Sequence, residues 1–307
     1  MKSIVFIFGI TFLGLNVFGQ YSTTEILKFN SKILNQERVL KISVPSDYNE
    51  FPNRKYKVVY LFDAQSESLY NFAKQTLSYL ENINFYVDPV IFVGIVTKNR
   101  QFEFLPKNKT NLPLKDYWAQ VKLGGADSLA LCLKNEILPF INEKYRTNGY
   151  TIGVGHSLGA SFVTYSMFMF PEIFNAGVAV SPNFYYDDEQ FLTIFKNEIG
   201  KNILKDKFLY VCYGQGDKLE DRFKPSSIKF SNLLSKTNTP NFHYKVQNID
   251  NNSHSTTPLE GFFKGLVFVN QPMTIQGDIE TKYLESKTLN YVSFLKIISL
   301  ANRKLRD

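Results

Sequence analysis

The chain has 307 residues, of which 44% are hydrophobic, 21% charged and 15% aromatic, a composition that excludes a disordered chain. Seventeen Gly and 12 Pro exclude a collagen-like or low-complexity one, and two cysteines, Cys132 and Cys212, exclude a disulfide scaffold and read as small buried hydrophobes. Three histidines leave little scope for a histidine metal site, and the net charge of +7 is spread along the chain, as on a solvated basic surface and not a nucleic-acid face.

Met1-Lys2 supplies a positive charge, residues 4–18 are almost wholly apolar, and Val17-Phe18-Gly19 ends the run with a small residue. This pattern predicts a secretory signal peptide over 1–19. The run is short for a membrane span, an uncleaved anchor being the competing reading. The mature chain, 20–307, is therefore expected to be periplasmic or secreted, with no stable membrane insertion.

Residues 38–44 alternate at period two up to Pro45 and predict a half-buried strand. Residues 56–62 and 89–95 are near-continuous apolar runs, the pattern of strands covered on both faces. Residues 151–155, 176–180, 208–213 and 242–246 complete the strand set. Over 127–145, Leu129, Leu133, Ile137 and Ile141 form an apolar stripe that predicts a helix, with Asp127 as its N-cap. Further helices are expected over 157–170, 226–234 and 258–269, and residues 279–306 read as one or two amphipathic helices packed on the body. Alternating strands and helices without repeat or linker predict one α/β domain built on a mostly parallel sheet with helices on both faces.

The strongest local signal is Gly155-His156-Ser157-Leu158-Gly159, between a short strand and a helical run. A serine on such a sharp strand-to-helix turn exposes its hydroxyl, and small residues two positions away relieve backbone crowding. The following helix turns its N-terminus toward the site, which favours developing negative charge. The rival reading is a phosphate-binding glycine turn formed by Gly153-Val154-Gly155 and Gly159. Several strands precede it and no acid ends the next strand, so the dinucleotide pattern is incomplete.

A serine nucleophile needs a base, and the base needs an orienting acid. Downstream of Ser157 stand His243, inside an apolar run, and His254, in the polar loop Asp250-Asn251-Asn252-Ser253-His254-Ser255 before a helix. His254 is the candidate base. Asp217 follows a strand through Gly214-Gln215-Gly216 and is the candidate acid, with Glu220 and Asp221 as close rivals. An oxyanion hole needs two N–H donors. Leu158, directly after the serine, supplies one, and Gln65 in Asp63-Ala64-Gln65-Ser66 the other, with Ala64 as the alternative. Arg100 could steer an anionic substrate or serve a structural ion pair. Tyr185 and Tyr186, after Phe184, could line a substrate pocket or pack in the core. Such a mechanism needs no metal and no organic cofactor.

With these residues in view, the chain resembles the esterase D and enterochelin esterase-like family of α/β-hydrolases, which also includes feruloyl and acetyl-xylan esterases and mycolyltransferases. The resemblance spans about 29–269. It rests on residues 31–38 and 56–63, the Arg100 to Pro106 loop, Gly124-Gly125-Ala126-Asp127, Glu136 to Ile141 and Lys144-Tyr145-Arg146. Further matches are Pro171 to Phe174, Ser181-Pro182, Asn252-Ser253-His254 and Gly265-Leu266. It departs where Ala64 stands for the family's Gly after Asp63, where Ala160 follows Gly159, and where Tyr185-Tyr186 replace a Trp pair. The resemblance implies an α/β-hydrolase fold, to which residues 279–306 add a C-terminal helical extension, and a serine esterase acting on a small-molecule or polysaccharide-linked ester, such as a siderophore or a feruloyl or acetyl polysaccharide. Acyl transfer with the same triad and a non-catalytic binding protein on the same fold are the alternatives.

Overall fold

The computed structural model describes residues 24–82, 87–109 and 122–270. The expected signal peptide over 1–19 and the helical segment over 279–306 lie outside the described residues. Eight strands form one sheet: β1 (Glu25–Ser31), β2 (Gln36–Ser43), β3 (Tyr56–Phe62), β4 (Val90–Ile95), β5 (Thr147–His156), β6 (Ala176–Val180), β7 (Phe208–Tyr213) and β8 (His243–Asn248). Their order is β1-β2-β4-β3-β5-β6-β7-β8. Strand β2 pairs antiparallel with both β1 and β4, and every other pairing is parallel.

The apolar strand runs are buried on both faces because helices cover both. In β3, Val58, Tyr60 and Phe62 face one core, while Val59 and Leu61 face the other. The second core is roofed by α1 (Glu67–Asn82), through Tyr70, Ala73, Leu77 and Leu80, and by α8 (Thr257–Val269), through Phe262, Leu266 and Val269. The first is closed by α2 (Arg100–Phe104), α3 (Ala126–Cys132), α4 (Leu138–Lys144), α5 (Leu158–Met169), α6 (Tyr186–Glu198) and α7 (Lys218–Leu234). Among the described residues no helix is long and apolar enough to cross a membrane.

The stripe over 127–145 is buried as expected at Leu129, Leu133, Ile137 and Ile141. It runs through α3, a π-helical turn over Leu133–Ile137, and α4. Its N-cap is Gly125 and not Asp127. Asp127 sits within the first turn, where its carboxylate accepts the Tyr165 hydroxyl proton from α5. Both cysteines are buried thiols, and burial pushes Cys132 up to about 12. His243 stacks on Phe208 at 4.8 Å between ring centroids, a packing position at the edge of the sheet.

Candidate active site

The turn between β5 and α5 lies at the sheet's carboxyl edge. Ser157 takes φ 58°, ψ −122°, a conformation that L side chains rarely adopt. Its N–H donates to the Val180 carbonyl at 2.9 Å, continuing the β5–β6 ladder through the strained residue. A Cβ on Gly155 would lie 2.4 Å from the Gly159 carbonyl carbon, so only glycine fits there. A Cβ on Gly159 would make ordinary contacts from 3.4 Å outward, so the crowding expected at both glycines falls on Gly155.

The loop between β8 and α8 carries His254 to this turn. His254 Nε2 is 2.9 Å from Ser157 Oγ, and Nδ1 is 2.6 Å from Glu220 Oε1. Glu220 is fully buried, and its Oε2 accepts the Gly214 N–H at 2.7 Å. Both carboxylate oxygens accept, so Nδ1 carries the imidazole proton and the bare Nε2 faces the serine hydroxyl. The geometry thus brings Ser157 and His254 together and seats Glu220, the rival, where Asp217 was expected.

Asp217 meets no imidazole nitrogen. It is the N-cap of α7: Oδ1 accepts the Leu219 and Glu220 N–H groups, each at 2.9 Å, and Oδ2 accepts the His254 backbone N–H at 2.8 Å. These bonds, led by the one from Glu220, hold its pKa below the ordinary carboxylate value. Asp221 is an exposed residue of the first turn. Helix α7 starts at Lys218, eight residues before the expected start at 226: Asp217 caps it and Pro225 lies inside it. That early start puts Glu220 in the first turn, where the helix N-terminus favours its negative charge.

The Ala64 N–H donates to the Ile95 carbonyl at 3.1 Å and is occupied. Gln65 and Leu158 donate no backbone hydrogen bond to another described residue. The turn that presents Gln65 is held from several sides. Asp63 takes φ 65°, a left-handed position that Asp tolerates. Its Oδ1 accepts from Gln65 Nε2 and from Arg100 Nε, each at 2.8 Å. Gln65 Oε1 accepts the Thr97 N–H at 2.9 Å. The loop carrying Thr97 is pinned by Glu103, which binds Arg38 with both oxygens at 2.9 Å and takes the Lys98 and Asn99 N–H groups. Arg38 and Glu103 are both essentially unexposed. The Ala64 methyl is accommodated because β4 has Gly94 beneath it, where a Cβ would come within 2.7 Å.

With this geometry in place, the family model described as "Putative esterase" matches residues 31–254. The chain belongs to this esterase family. It is a carboxylic-ester hydrolase with the α/β-hydrolase type of fold. No curated protein sequence matches the chain. Among solved structures, an IroE-like serine hydrolase from Shewanella oneidensis is 23% identical, with 81% of each chain covered and a TM-score of 0.74. A siderophore hydrolase, EstB, from Aspergillus nidulans is 17% identical, covering 81% of this chain and 96% of that one, with a TM-score of 0.67. A ferulic acid esterase is 18% identical over 82% of this chain and 99% of that one, with a TM-score of 0.60. At these identities the likeness is one of fold.

Beside the esterase's Gln65 and His156 lies a groove of about 450 Å3. Leu69, Phe72, Pro258 and Leu259 make one apolar wall, and Asp63, Ser66, Arg100 and Ser255 add polar groups. Arg100 makes the ion pair considered for it, with Asp63, and it also lines the groove. The two tyrosines part company. Tyr185 is 52% exposed with the Arg222 guanidinium 6.0 Å from its ring centroid, and it does not line this groove. Tyr186 is buried, its hydroxyl on the Pro106 carbonyl at 3.1 Å, so it has little surface to offer a substrate. Phe184 packs wholly in the core among Phe191, Phe195 and Phe230. Among the described residues no cluster of three or more His, Cys, Asp and Glu side chains could hold a metal ion.

Proposed function

We propose that the esterase is a serine hydrolase working through an acyl-enzyme, with Ser157 as nucleophile, His254 as base and Glu220 as orienting acid. The Ser157–His254–Glu220 relay, at 2.9 and 2.6 Å, is the observation that carries this reading. His254 takes the Ser157 proton as Oγ attacks the ester carbonyl, and returns it to the leaving alcohol. Glu220 keeps the proton on Nδ1 and stabilises the imidazolium. The Leu158 and Gln65 N–H groups hold the tetrahedral oxygen, and loss of such a donor typically costs about 10²–10³ in rate.

The groove supports a substrate with a bulky, largely apolar acyl or alcohol part and a polar or anionic substituent within reach of Arg100. Siderophore esters and feruloyl esters of polysaccharide both have that character, and the family and the folds it resembles include enzymes named for each. The leader-like sequence over 1–19 supports export, so the working location is read as periplasmic or secreted.

Fluorophosphonate labelling of the purified chain, with the adduct located by peptide mass spectrometry, tests the mechanism. An adduct on Ser157 that vanishes in Ser157→Ala together with ester hydrolysis is expected. A folded Ser157→Ala protein that still hydrolyses esters would overturn it. Profiling on catechol, feruloyl and acetyl esters then ranks the substrates, with the acetyl ester expected last.

A further inference from the structure

His156, the residue before the nucleophile, has a fastening of its own. Its Nε2 lies 2.8 Å from the backbone carbonyl oxygen of His254. A carbonyl only accepts, so His156 Nε2 carries the proton and the neutral ring has a bare Nδ1. The two imidazole rings are in contact and tilted, 4.6 Å between centroids and 38° between planes. Phe223 of α7 meets His254 edge-on at 5.4 Å. The same carbonyl takes the Thr257 hydroxyl proton at 2.9 Å from α8. The His254 N–H, as described, belongs to Asp217 of α7.

Three elements therefore hold the backbone of His254, and His156 is the link from the strand that carries the serine. Its ring is tied to the nucleophile by one peptide bond and to the base by one hydrogen bond. Movement of the His254 loop away from Ser157 would have to break that link. Burial, and then the neighbouring His254, push the His156 pKa down to about 3, so the ring stays uncharged where the enzyme works. The charged groups near it are Arg100, already paired with Asp63, and His254 itself. A neutral neighbour adds no repulsion when His254 becomes imidazolium.

We propose that His156 is a positioning residue for the general base, its Nε2–H fixing the His254 loop at the height where His254 Nε2 meets the Ser157 hydroxyl. The inference rests on the Ser157–His254 reading above and extends it to the residue that precedes the serine in the Gly155–Gly159 turn.

The test compares wild type, His156→Leu, His156→Gln and His156→Glu in the full chain, on a p-nitrophenyl ester, with folding checked by circular dichroism. Glutamine places an N–H donor at nearly the distance of the imidazole Nε2, whereas glutamate, of the same size, sets an acceptor against the carbonyl. His156→Leu should lose about 10- to 100-fold in kcat, with KM changed less than about threefold. His156→Gln should return to within about threefold of wild type. Should His156→Leu fail to fold, the Gln and Glu variants decide: Gln fast and Glu slow supports the proposal, and equal rates overturn it. A folded Leu variant with kcat within twofold of wild type also overturns it. Fluorophosphonate labelling of the wild type separates the two levels: no label on Ser157 refutes the serine mechanism, whereas a label with unaffected His156 variants refutes the positioning role alone.

Discussion

Glu220→Gln is the sharpest probe of the relay. Glu220 is unexposed and its two oxygens serve two different donors, Gly214 N–H and His254 Nδ1–H. An amide has one acceptor oxygen. If that oxygen stays on Gly214, the NH2 faces His254 Nδ1 and forces the imidazole proton onto Nε2. The base then has no lone pair for the Ser157 hydroxyl. In a serine protease the comparable acid-to-amide change lowers kcat about 10⁴-fold, which is about 5 kcal/mol of barrier. If the amide turns over, its NH2 opposes the buried Gly214 N–H and the cost appears as about 1–3 kcal/mol of stability. Asp217→Asn disturbs one of three backbone bonds and leaves the ring alone, so its loss in kcat should be about 2- to 10-fold. Steady-state kinetics on a p-nitrophenyl ester, with urea midpoints on the same samples, separate these outcomes. A Glu220→Gln enzyme within tenfold of wild type and just as stable, beside an Asp217→Asn enzyme down a thousandfold, would refute the assignment of the acid.

Gln65→Ala keeps its backbone N–H but releases Asp63 and Thr97, so kcat should fall about 10-fold with KM little changed; an unaltered kcat would show that the turn holds without its side chain. Phe184→Ala removes a ring packed against three others and should cost about 3–5 kcal/mol in urea unfolding, with KM unmoved if the residue belongs to the core. The stability contributed by neutral His156 is complete above its ordinary pKa of 6.5 and declines as pH falls from there toward about 3, because the unfolded chain binds the proton first. His156→Gln should therefore flatten the acid side of a melting-temperature profile between those values, and an identical profile in both proteins would contradict the neutral state.

Strands β3, β6 and β7 are written plainly in the chain, since burial on both faces demands unbroken apolar runs. Strand β1 is not: it lies at the sheet edge and most of its residues keep some solvent exposure, so Glu25, Lys28 and Asn30 interrupt any pattern. Helix α1 went unread although Tyr70, Ala73, Leu77 and Leu80 recur at helical spacing. The serine and histidine positions are legible because each stands in a distinctive setting. The acid is harder to read, since Asp217 and Glu220 are three residues apart and only the direction of their side chains separates them. A usable signal was present: Asp217-Lys218-Leu219-Glu220 is an N-cap acid followed three residues later by Glu, which announces a helix start and assigns Asp217 to capping. The interior Pro225 obscures that start.

The double grip of Asp217 also bears on how the site comes apart. Glu220 and His254 come from segments 34 residues distant in sequence, yet one carboxylate fastens the amides of both. Fraying of the α7 N-terminus thereby releases one of the three holds on the histidine loop, leaving those from His156 and Thr257. In hydrogen exchange the Glu220 and His254 amides would share one opening free energy, and on heating the relay would be lost in a single local step that can precede collapse of the sheet. The enzyme's thermal lifetime would then be set by the fastenings of this loop before it is set by the core.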